Sequence, residues 1–107
     1  MKIEIINAGD DPVVSSQDSP LYRALESAVT RRHPGAIVTP MTVPYGTDGN
    51  GFRPRGVKAY GFFPGIVPAA SILSMHGDAE FIPADALGPA IQILFEAVKE
   101  SASGGGR

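Results

Sequence analysis

Two stretches of this 107-residue chain carry side chains able to do chemistry. SMHGDAEFIP, residues 74 to 83, sets His76 beside Gly77, Asp78 and Glu80, and stops at a proline ahead of an apolar-periodic segment. YGTDGNGFR, residues 45 to 53, offers the hydroxyl of Thr47, the carboxylate of Asp48 and the guanidinium of Arg53, with backbone N–H groups freed by Gly46, Gly49 and Gly51. An imidazole can bind a hard or borderline metal while a carboxylate such as Asp78 or Glu80 orients it, but zinc needs three or four donors. The glycine-rich set can hold a carboxylate or a tetrahedral oxyanion. Both stretches also admit plainer readings. His76 could close a loop at a helix start, Asp48 could cap a short helical turn, and Arg53 could pair with a nearby acid.

Composition narrows the field. The chain has no cysteine, so disulfides and thiolate metal sites are excluded and His, Asp and Glu are the available donors. Nine basic residues against eleven acids give a net charge of -2, and the longest basic cluster is TRRH, so nucleic acid finds no electrostatic footprint. No apolar run approaches the roughly 20 residues of a membrane span. MKIEIINAGDD turns polar too early for a secretory signal, which leads to the expectation of a cytoplasmic chain without membrane association. The length suits one domain of modest size.

The elements that must position these residues follow from periodicity. KIEII, residues 2 to 6, alternates and is β-branched, as a strand covered on one face would be. Ser19 and Pro20 supply an N-cap and a first helical position, and Leu21, Ala24, Leu25, Ala28 and Val29 predict a helix that ends near His33. Arg31, Arg32 and His33 then complement the carbonyl end of its dipole, which leaves His33 no ligand role. AIVTPM (36–41) and VKAYGFF (57–63) read as strands, while PYGTDGNGFRPRG between them is too rich in Gly and Pro for a regular element. After the loop 64–83, Leu87, Ile91, Leu94, Phe95 and Val98 form the apolar face of a last helix, with Gln92, Glu96, Lys99 and Glu100 elsewhere, and SASGGGR is a flexible tail. Strand, helix, strand, strand, helix is an α/β order, and ligand sites in open α/β sheets favour loops beyond strand ends.

The motif order resembles a known family. GTDGNGFRPRGVKAYGFFP, then HGDAEFIP about a dozen residues on, then an amphipathic terminal helix, is similar to the carboxyl-terminal part of the co-catalytic zinc metallopeptidases, among them aminoacylase, glutamate carboxypeptidase and succinyl-diaminopimelate desuccinylase. DSPLYRALESAVTRRHPGAIVTPMTVPYGTD looks like the segment that re-enters the catalytic domain from the lid, so the likeness covers roughly residues 2 to 100.

The resemblance implies a hydrolase of the peptidase or N-acyl amino acid amidohydrolase kind, cleaving amide bonds next to a free carboxylate with two zinc ions and a bridging water. It assigns His76 as a ligand to one ion and places Thr47 and Asp48 near the scissile amide and carboxylate; Arg53 joins them as a substrate-binding candidate. It further implies an α/β fold in which a partial three-layer sheet with flanking helices forms the carboxyl-terminal half of a catalytic domain. Residues 1–14 would be the last lid strand and crossover, 15–102 the catalytic part, and 103–107 the tail. The glycines of TDGNGF, and Phe81 in place of a common Arg, depart from the pattern without removing a metal donor. Residues 1 to 46 do not reproduce the family's first histidine, bridging aspartate, general-base glutamate or remaining carboxylate ligand. The chain therefore reads as a carboxyl-terminal fragment or truncated gene product, inactive alone, whose partners would be a peptide or N-acyl amino acid substrate, the amino-terminal half of the catalytic domain, and a second copy of itself. The alternative is a non-enzymatic small α/β domain that binds a small carboxylate or self-associates.

Overall fold

The computed structural model describes residues 3–4, 13–43 and 45–104. Its architecture is helical. The helices are α1 (Pro20–Arg32), α2 (Gly49–Phe52), α3 (Ala69–Leu73) and α4 (Ala84–Gly104), with a 3-10 turn at Arg53–Arg55 directly after α2.

Helix α1 starts where its sequence dictates. Ser19 is extended, its hydroxyl accepts the Tyr22 N–H at 3.0 Å, and Pro20 occupies the first turn, where a missing N–H costs nothing. The same hydroxyl lies 2.7 Å from the Tyr60 hydroxyl, which in turn donates to the Ser16 carbonyl. With the Tyr60 proton given to the Ser16 carbonyl, Ser19 donates to Tyr60, so the cap also ties α1 to the segment after the 3-10 turn. The Tyr22 and Tyr60 rings meet edge to face, centroids 5.6 Å apart. Ser19→Ala should therefore cost about 1–2 kcal/mol, read as a lowered urea midpoint; a shift indistinguishable from zero would show the cap to be dispensable. At the other end His33 is the C-cap, its N–H donating to the Val29 carbonyl at 2.8 Å and its own carbonyl accepting from Ala36.

The core is a two-helix seam. Leu25 and Ala28 of α1 pack on Ile93 and Ala97 of α4, Ala24, Ala86 and Ala90 are buried on the same two helices, and Tyr60 and Phe62 pack against the cluster. Alanines four and seven residues apart let the two backbones approach closely. Arg31 bridges the exposed flank to Glu100 at 2.9 Å and Glu96 at 3.4 Å; the Glu100 hydrogen bond raises its pKa above the ordinary guanidinium value.

Three expectations are corrected. No strand forms among the described residues, so the α/β class and the partial three-layer sheet do not hold. The reason is lack of partners. Residues 36–41 leave Ile37 and Met41 exposed with no neighbour to pair, and Pro40 lacks an N–H. In 57–63 the Ser15 hydroxyl engages both backbone groups of Ala59, accepting its N–H at 2.9 Å and donating to its carbonyl at 3.0 Å, in place of a ladder. The expected strand at 2–6 falls mostly outside the described residues. Second, the supposed irregular stretch around residue 50 contains α2 and the 3-10 turn, the loop 64–83 contains α3, and the supposed tail is helical through Gly104, with 105–107 outside the described residues. Third, α4 buries its alanine stripe with Ile93, while Leu87, Ile91, Leu94, Phe95 and Val98 face solvent. No helix is long and apolar enough to cross a membrane, among the residues described.

Candidate functional site

His76 stands on a tight turn after α3, built by short-range bonds. Met75, Gly77 and Glu80 donate their N–H groups to the carbonyls of Ile72, Ser74 and Gly77. Ser74 caps from the side, its hydroxyl donating to the Ser71 carbonyl at 2.8 Å and accepting the Phe81 N–H at 3.3 Å. The His76 N–H donates to Glu80 Oε2 at 3.0 Å, and His76 sits at φ +64°, the one described non-glycine residue in the left-handed region. Such a backbone is strained in a residue with a Cβ and persists where the surroundings over-determine it. Gly77 eases the turn beside it, since a Cβ there would stand a tight 3.1 Å from the Ser74 carbonyl oxygen. The outcome is an exposed imidazole on a cross-tied turn, and among the described residues neither ring nitrogen has a hydrogen-bond partner. Of the two carboxylates expected to orient the imidazole, Asp78 and Glu80, Glu80 binds the backbone N–H of His76, and among the described residues neither hydrogen-bonds to the ring.

Thr47, Asp48 and Arg53 form a second unit. The carbonyls of Thr47 and Asp48 accept the N–H groups of Asn50 and Gly51, both at 2.9 Å, which starts α2. Asp48 occupies the N-cap position, but its side chain makes no capping bond, and both Thr47 and Asp48 are exposed. Arg53 folds back over α2: Nε donates to the Ala59 carbonyl at 3.0 Å and Nη1 to Asn50 Oδ1 at 3.2 Å. Gly49 makes room for it, because a Cβ there would lie 2.8 Å from Nη2. Arg53 thus clamps the loop to residue 59 rather than pairing with an acid.

Helices α2 and α3, which border the two units, make no contact with each other. Among the described residues no three of His, Asp and Glu are grouped as a metal centre would need. Two shallow depressions lie elsewhere, one of about 180 Å³ beside Arg32, His33 and Asp85, the other of about 290 Å³ beside Arg31, Glu96 and Lys99. The residues that sequence reading passed over are Ser74 and Ser15. Serine near a turn is the signal for the first; a hydroxyl 44 positions from its partner leaves none for the second.

No curated protein and no solved structure matches the chain. The profile of peptidase family M20/M25/M40 matches residues 1–100, nearly the full length, with both units inside it. By that match the chain belongs to peptidase family M20/M25/M40.

Proposed function

We propose that this chain supplies one histidine ligand, His76, and a substrate-side loop, Thr47 and Asp48, to a metal-dependent amide hydrolase acting on a peptide or N-acyl amino acid, with zinc as the metal. The observation that carries the reading is the family match over residues 1–100, which spans the His76 turn and the Thr47–Asp48 unit together. Exposure of the ring and the cross-ties of its turn support it.

The described residues do not by themselves fit a metal centre. His76 brings one donor, and Glu80 has one carboxylate oxygen committed to the His76 N–H. A hydrolytic zinc site needs three protein ligands and a base, so the remaining donors lie outside the described residues, and on this reading they come from the rest of a catalytic domain. What this chain does is hold the His76 backbone in its turn with the imidazole exposed, and place a hydroxyl and a carboxylate at the start of α2. Arg53 acts as the loop's clamp and positions Thr47 and Asp48 through Asn50.

Zinc titration of the 107-residue chain, followed by calorimetry, tests the divided site. No tight stoichiometric binding and no release of amino acid from N-acyl substrates are expected from the chain alone, with release appearing when a polypeptide carrying the other donors is added. Tight one-to-one zinc binding, or turnover by the chain alone, would contradict it.

A further inference from the structure

Helix α4 carries two apolar stripes, and α1 covers only one. The uncovered stripe is Leu87, Ile91, Leu94 and Val98, spaced four, three and four, with Phe95 alongside. That is the seam of a two-stranded helix pair. Ile91 and Phe95 are 66% and 67% exposed. On ordinary residue areas the exposed parts of the five side chains come to roughly 550 Å² per chain, at the top of what monomers leave open in one patch.

We propose that this stripe is the contact between two copies of the chain, paired antiparallel about a two-fold axis near Gln92 and Ile93. The spacing is its own mirror image: reversal sets Leu87 against Val98 and Ile91 against Leu94, as an isologous contact demands. Two copies would bury about 1,100 Å² from these side chains alone, within reach of a specific interface. Charge does not oppose it. Glu96 and Glu100 are turned toward Arg31, Lys99 points away from the seam at 100° per residue, and the net charge is only -2. Antiparallel helices also bring opposite dipole ends together.

Sedimentation equilibrium over roughly 1–100 μM should show mass rising from 11.2 kDa to twice that value. I91E and L94E should each remain monomeric with unchanged far-ultraviolet helicity, while I37E, an exposed apolar residue away from α4, should still dimerise. The chain has no cysteine, so an oxidised mixture of I91C and L94C chains should give the mixed disulfide in preference to either homodimer, a readout that survives even if the glutamate variants misfold. A wild-type chain that stays monomeric throughout, dimers indifferent to L94E, or dominant homodisulfides would each overturn the proposal.

Discussion

His76→Ala is expected to lower amide hydrolysis by more than about 100-fold in the reconstituted assembly, beyond what losing an outer-shell partner of a metal ligand costs. The family match spans His76, and in its turn Ser74, Gly77 and Glu80 hold the backbone and leave the ring free. His76→Gly separates this role from folding. A left-handed backbone costs a residue with a Cβ about 1–2 kcal/mol, so the glycine variant should be more stable than the alanine variant while being equally inactive. Urea midpoints and initial rates of amino acid release measure both. Activity retained by either variant would remove His76 from the centre.

Ile93→Ala is expected to cost about 2–5 kcal/mol, the range for deleting a buried branched side chain. Ile93 is the largest fully buried side chain, and its core partners are Leu25 and the alanines 28 and 97. Alanines cannot move in to fill the space it leaves. A globular domain has about 5–15 kcal/mol in total, and a core of this size sits at the low end, so α1 and α4 should lose helicity together at 25 °C. Circular dichroism checks it, with Ile37→Ala as the exposed comparison, expected within about 0.5 kcal/mol of wild type. Equal loss in both variants would show that the α1–α4 seam is not the core.

Local signals were legible and non-local ones were not. Ser19, Pro20 and the 21, 24, 25, 28 spacing specify α1 within the chain itself, and α1 begins and ends as they require. For α4 the element and an apolar face were readable, but the stripe it buries was not. Leu87, Ile91, Leu94, Phe95 and Val98 carry more hydrophobicity than Ala86, Ala90 and Ala97, yet close approach to α1 selects the small side chains. The strand readings failed because β propensity describes fit to a partner; 36–41 has none, and Ala59 is taken by Ser15. At the site, Asp78 and Glu80 both stood near His76 in sequence and the structure selects Glu80, whereas the fold of Arg53 onto Ala59, beside Gly49, could not be read from charge.

The structure extends over 55 × 40 × 22 Å with a radius of gyration of 16.9 Å, whereas a compact chain of this length has about 13 Å. A single copy thus starts with more of its surface wetted than a compact chain of its size, and unfolding adds less than it would there. The heat-capacity increment and the denaturant slope, which both scale with newly exposed area, are correspondingly small. Its stability curve is shallow, and with a small unfolding entropy each modest gain or loss in free energy moves the melting temperature by many degrees.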